Sequence, residues 1–283
     1  MTRSGARKDV LAFYEELPFN YSTDAVAQAD EIRRLDPLQS YPPVAAVLAR
    51  RPRLLDIGCG TGWLANAAAY RYRCAAYGID FNPVAVARAQ AVARDLEIDA
   101  RFEVADLFNY RPDKRFGLVT CIGVLHHTDD CVGGLAHIAD SIVDIGGRIF
   151  IGLYHTLGRR PFLAHFAEMK GQGASPEDLY REFKRLRTGG GASRPDETLM
   201  RSWFRDQVLH PHETQHTFME IMPVMDRLGF EVELTSMNHF EAMPTRSELM
   251  AQEEELENIG RSALAEGRYF PGFFLFMARR RAR

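Results

Sequence analysis

The stretch Leu54-Leu55-Asp56-Ile57-Gly58-Cys59-Gly60-Thr61-Gly62 constrains this chain more than any other. An apolar run carries an acid near its end, then three glycines alternate before an amphipathic segment at 63–71. Glycine at that spacing lets backbone approach a ligand and permits positive φ. A strand, a glycine turn and a helix in this order belong to an open parallel sheet, in which ligands bind beyond the carboxyl ends of the strands. The loop departs from the dinucleotide pattern GxGxxG, because Thr61 stands where the third glycine would fall. No Gly-Lys-Ser/Thr follows, so it is not a Walker loop either.

Short apolar runs then alternate with helix-length stretches. They predict strands at 53–57, 75–79, 101–104, 116–122 and 147–153, with helices at 63–71, 83–95 and 131–142. After Tyr154 the alternation stops. Residues 155–211 are Arg-rich and broken by Gly171, Gly173, Gly189, Gly190 and Gly191, which predicts a helical insertion, poorly ordered at 187–195. A helix at 217–228 stopped by Gly229, a strand at 231–235, a helix at 248–266 and a strand at 273–278 resume the core. The expected organisation is a helical cap at 1–50, a core at 51–154 and 212–283, and the insertion at 155–211 as a lid or a dimer element. A homodimer is left open.

Apolar residues at 46% and charged residues at 26% exclude a disordered chain. No apolar run approaches the ~18 residues of a membrane span, and the basic start lacks a signal-peptide core, so a cytoplasmic protein without a membrane partner is expected. A net charge of -3 offers no general attraction to nucleic acid. Cys59, Cys74, Cys121 and Cys131 form no CxxC pair, and reduced thiols are expected.

Further acids recur at strand ends. Tyr77-Gly78-Ile79-Asp80 places a carboxylate where it can accept two bonds from a ribose diol, and Val104-Ala105-Asp106-Leu107 places another within reach of an adenine amino group. With LLDIGCGTGWLA, YGIDFNPVAVARAQ, VADLFN, LVTCIGVLHH and GGRIFIGLY in this order, the chain resembles the class I S-adenosylmethionine-dependent methyltransferases. The resemblance covers roughly residues 50–155 and resumes after 217. It implies a Rossmann-like α/β fold: a seven-stranded, mostly parallel sheet with an antiparallel last strand, a helical N-terminal cap and a helical insertion after strand five. It implies S-adenosyl-L-methionine as cofactor, with the glycine loop against its methionine part, Asp80 on the ribose, and Asp106 and Leu107 flanking the adenine. Candidate cofactor residues are Asp56, Gly58, Cys59, Gly60, Gly62, Asp80, Phe81, Asp106, Leu107 and Cys121. Asp56 serves equally well as a loop brace, and Cys59 as a small buried filler.

The cofactor motifs do not identify the acceptor. Residues Gly123-Val124-Leu125-His126-His127 replace the Asn/Asp-Pro-Pro-aromatic motif of DNA and protein-amide methyltransferases, and resemble the branch acting on quinones, lipids and natural products. Asp129 and Asp130 have no acidic counterpart after strand five, so no metal is expected. His127 is the candidate general base, ahead of His126, and Tyr14 and His210 are further catalytic candidates. Tyr21, Tyr154, Arg159, Glu213 and His216 are candidates for acceptor binding, with Arg159 suited to a carboxylate or phosphate. Residues 212–216 also read HExxH, a zinc pattern when helical, but Pro211 puts them at or before a helix start. The expected activity is in-line methylation of oxygen, nitrogen, sulfur or carbon in a small molecule. The alternatives are a tRNA or peptide acceptor, an HExxH metallohydrolase, and an inactive interaction protein.

Overall fold

The computed structural model describes residues 8–21, 24–189 and 196–282. Three helices come first: α1 (Lys8–Glu16), α2 (Ala25–Arg34) and α3 (Pro42–Leu48). Strands and helices then alternate through β1 (Leu54–Ile57), α4 (Trp63–Tyr72), β2 (Ala76–Asp80), α5 (Pro83–Asp95), β3 (Arg101–Val104), β4 (Phe116–Ile122), α6 (Cys131–His137) and β5 (Val143–Tyr154). Three helices follow: α7 (Thr156–Gly171), α8 (Pro176–Thr188) and α9 (Glu197–Phe204). The chain closes through α10 (Phe218–Arg227), β6 (Phe230–Thr235), α11 (Arg246–Ala265) and β7 (Phe273–Arg280).

The sheet order is β3-β2-β1-β4-β5-β7-β6. Strands β1 to β5 run parallel, and β7 inserts antiparallel between β5 and β6. This is the seven-stranded Rossmann-like arrangement expected above. Alternate side chains of the central strands enter opposite cores, as a two-period strand requires. Leu55 and Ile57 pack with α6 and α10 through Leu135, Ile221 and Met225, whereas Leu54 faces α3 to α5 through Leu48, Ala68 and Val92. The order reverses between β1 and β4, so the crevice opens beyond Ile57.

Helices α7 to α9 bury their own cluster, including Phe162, Phe166, Tyr180, Phe183 and Phe204. Helix α8 starts on a capping box, with Ser175 and Asp178 bonding each other's backbone amides. The expected poor order at 187–195 falls largely on residues 190–195, which lie outside the described residues; Arg187 and Thr188 close α8. Helix α11 lies along α7 rather than on the sheet alone. The Cβ of Leu256 approaches Gly158, Pro161 approaches Gly260, and Arg160 pairs with Glu257 at 2.7 Å. At Gly272, φ is +67°, and a Cβ would stand 2.1 Å from the carbonyl carbon of Gly158, so glycine is required where β7 passes under α7.

Candidate active site

A cavity of about 440 Å3 opens at the crevice. Its floor is Gly58, Gly60, Asp80, Phe81, Asp106 and Leu107, all anticipated from the sequence. Asp80 ties the floor together. Its Oδ2 accepts from the Gly60 amide at 2.8 Å, and its Oδ1 from the Asn82 amide at 2.9 Å. Burial pushes its pKa up, and the amides of Asn82, Gly60 and Phe81 oppose that. Asp106 Oδ1 accepts from the Phe108 amide at 3.0 Å. Among the described residues, a Cβ on Gly60 would meet only the Phe19 carbonyl oxygen, at 3.9 Å, and one on Gly123 would meet nothing within 4 Å. Side chains at these two lining positions would fill the cavity itself.

Four expected cofactor residues do not reach the cavity wall. Asp56 lies beneath the loop, where Thr120 Oγ1 donates to its Oδ1 at 2.7 Å. Burial raises its pKa to about 7. Cys59 is packed behind the loop, its sulfur 2.8 Å from where a Gly78 Cβ would stand. Gly62 caps α4 with φ +81°, against Ala89 and Asn66. Cys121 is fully buried in the core beside α6.

The upper wall joins Tyr14 of α1, His126 and His127 after β4, and Tyr154 at the end of β5, with Trp203, Asp206, Gln207 and Tyr269. Asp206 is buried and accepts from Tyr14 Oη at 2.5 Å and from Gln207 Nε2 at 2.7 Å. Burial and this carboxylate push the Tyr14 phenol well up, so it remains a donor.

The two histidines have opposite tautomers. His127 Nδ1 lies 2.9 Å from the His212 carbonyl oxygen, which can only accept, so Nδ1 carries the hydrogen and Nε2 a lone pair. The Tyr154 amide, which can only donate, points at His126 Nδ1 at 3.3 Å, so the His126 hydrogen sits on Nε2. Both Nε2 atoms are buried without a hydrogen-bond partner among the described residues. His127 Nε2 lies 3.9 Å from Asp206 Oδ1. Burial lowers the pKa of His127 to about 4 and that of His126 well below its usual value, so both are neutral at pH 7.

Several acceptor candidates are displaced. Arg159 is fully buried, bidentate on Glu213 at 2.8 and 3.1 Å, and stacked 3.9 Å from the Tyr154 ring centroid. Arg159 and Glu213 therefore neutralise each other behind the wall instead of meeting a ligand. Tyr21 stands outside, its hydroxyl bonded by Arg88 at 2.8 Å. His210 backs His127, with ring centroids 3.7 Å apart, and burial drops its pKa to about 3. His216 extends the sheet edge, its amide donating to the Tyr154 carbonyl at 2.9 Å. The HExxH stretch is accordingly extended rather than helical, and no group of three metal-binding side chains occurs among the described residues. Asp206, Trp203, Arg187 and Tyr269 escaped the sequence reading, since their partners lie far away in the chain.

A family model described as a methyltransferase domain matches residues 54–146. A ubiquinone biosynthesis O-methyltransferase of Azotobacter vinelandii is 33% identical over 153 residues, covering 53% of this chain and 63% of that protein. Its counterpart in Stutzerimonas stutzeri is 34% identical over 117 residues, 41% of this chain and 48% of that one. The chain thus spans less than two thirds of these curated relatives. Among solved structures, the magnesium protoporphyrin IX methyltransferase of Synechocystis with bound SAH shares the fold, with a TM-score of 0.53 at 17% identity, over 95% of this chain and 93% of that one. PKMT2 of Rickettsia typhi in complex with AdoHcy gives 0.58 at 14% identity, over 86% and 54%.

Proposed function

From the premise that residues 54–146 are a class I S-adenosylmethionine-dependent methyltransferase domain, we propose that this chain methylates a hydroxyl group of a small, largely apolar molecule. Bound S-adenosylmethionine would supply an electrophilic methyl group on a sulfonium centre. Gly58 and Gly60 would lie along its methionine part, Asp80 would hold the ribose hydroxyls, and Asp106 and Leu107 would flank the adenine. The cavity fits such a ligand, since Gly60 and Gly123 leave open the space that side chains would fill.

The observation that carries this reading is that Asp80 and His127 line one cavity, and that His127 Nε2 is buried with a lone pair and no hydrogen-bond partner among the described residues. His126 Nε2–H orients the acceptor oxygen, and His127 Nε2 takes its proton. Asp206 Oδ1, 3.9 Å away, stabilises the imidazolium so formed. Tyr14, donating to Asp206, fixes the carboxylate and closes this end against water. A base is needed for a hydroxyl, and the relatives named as O-methyltransferases support oxygen as the methylated atom. Helices α7 to α9 supply Arg187 and Trp203 to the wall, which supports a covering role for the insertion.

Calorimetry with S-adenosylmethionine and S-adenosylhomocysteine tests the premise. Both should bind, and absence of heat with either at high micromolar concentration sinks it. Asp80→Ala removes charge-assisted bonds worth roughly 1.5–3 kcal/mol each and should weaken binding at least tenfold.

A further inference from the structure

Arg187 is the only Lys or Arg among the described residues that line the cavity. It sits one residue before the end of α8 and is half-buried. Its guanidinium lies between two rings, 4.3 Å from the Trp203 centroid and 4.5 Å from that of Tyr269. No hydrogen bond or ion pair joins it to any described residue. The neighbouring arginines differ: Arg185 is held by Glu182, Arg201 by Glu177, and Arg159 by Glu213.

We propose that Arg187 is the carboxylate receptor of this cavity, its fork held between Trp203 and Tyr269 to grip the carboxylate of a bound ligand. A guanidinium held between aromatic faces keeps its charge and its orientation while its N–H edge stays free. A planar fork with five donors matches a carboxylate through two parallel bonds. The two rings tie the receptor to both ends of the cavity. Trp203 Nε1 bonds Asn20 Oδ1, and the Asn20 carbonyl accepts from Thr61 of the glycine loop at 3.3 Å. Tyr269 Oη donates to Gln207 Oε1 at 3.1 Å, and Gln207 in turn holds Asp206. The carboxylate therefore comes either from the amino-acid end of the cofactor or from an acidic acceptor. The acids lining this space have other partners: Asp206 is taken by Tyr14 and Gln207, Asp80 by the Gly60 and Asn82 amides, Asp106 by the Phe108 amide, and Asp129 lies 3.9 Å from His212, while His126 and His127 are neutral. The carboxylate-binding role that Arg159 promised from its place after β5 thus moves to a residue on α8.

This inference rests on the methyltransferase reading, and the experiment separates the two. Methylthioadenosine carries the adenosine and sulfur of the cofactor but no carboxylate; its failure to bind the parent protein would count against the cofactor site, not against Arg187. Calorimetry then compares the parent with Arg187→Gln. Weakening of S-adenosylhomocysteine by tenfold or more, with methylthioadenosine unchanged, places the cofactor's carboxylate on Arg187. If S-adenosylhomocysteine binds both proteins alike, the loaded proteins are titrated with benzoate, octanoate and, as neutral control, benzyl alcohol. Tenfold weaker binding of either acid to the variant, with the alcohol unchanged, places the acceptor's carboxylate there. Arg187→Lys should recover the loss only in part. The assignment is overturned if the variant matches the parent in both arms, or if it loses methylthioadenosine as strongly as S-adenosylhomocysteine.

Discussion

His127 owes its proposed role to a carbonyl oxygen. The motif after β4 named the residue, but nothing local could show which ring nitrogen bears the hydrogen. That depends on the carbonyl of His212, 85 residues onward. Asp206 was invisible for the same reason, since its partner Tyr14 lies 192 residues earlier. Asp80, Asp106 and the glycines were legible because their chemistry is written within a few residues of a strand end. The depressed His127 pKa has a sign that can be checked. An unfolded histidine titrates near 6.5 and the folded one near 4, so unfolding takes up a proton between those values. The resulting stability is complete above about pH 6.5 and is lost as the pH falls toward 4. The shift is on the order of 3 kcal/mol. Thermal melts at pH 7 and 4.5 should therefore show a smaller acid-induced fall for His127→Gln than for the parent. Equal falls would mean that the ring is accessible to protons in the folded protein.

Helix α7 shows what element-level reading could and could not supply. Its Arg-rich start and place after β5 suggested a ligand contact at Arg159. The packing shows instead that Arg159 is the pin joining α7 to the 205–213 segment, through Glu213 and the Gln207 carbonyl at 2.8 Å. A sequence states that a cation is present, but not whether an anion from elsewhere in the chain has already claimed it. Arg159→Ala empties a fully buried site and strands the partly buried Glu213 carboxylate, which should cost about 3 kcal/mol in chemical denaturation. Arg159→Met with Glu213→Leu removes both charges and should cost clearly less. A single variant as stable as the parent would show that the pair carries no load. His155 pins the other side. Its Nδ1 accepts from the amides of Leu157 and Gly158, and its Nε2 donates to Glu253 of α11 at 2.9 Å. That caps α7 with a side chain from outside the sets of residues usual at this position.

At the scale of the whole molecule, strand order was readable through the alternation of elements, and the reversal of the last strand came with the family resemblance. The partnership of α11 with α7 was not readable. It depends on Gly158, Gly260 and Gly272 meeting, and three isolated glycines carry no pattern. A ligand that spans the cavity touches α1, the sheet and α8 together, so its binding should stabilise the entire fold. With S-adenosylhomocysteine at one hundred times its dissociation constant, the gain is about 2.7 kcal/mol, and the melting temperature should rise by several degrees. An unchanged melting temperature would mean that the bound and unbound proteins unfold alike. The insertion of β7 between β5 and β6 also orders events in time. The floor of the proposed cofactor site, Gly58 to Leu107, is translated early, yet Tyr269, Pro271 and Phe273 of the cavity wall emerge only with the strand that splits the β5–β6 edge. A ribosome-bound chain that has not reached residue 269 thus carries the floor of the vessel while still lacking one side of it.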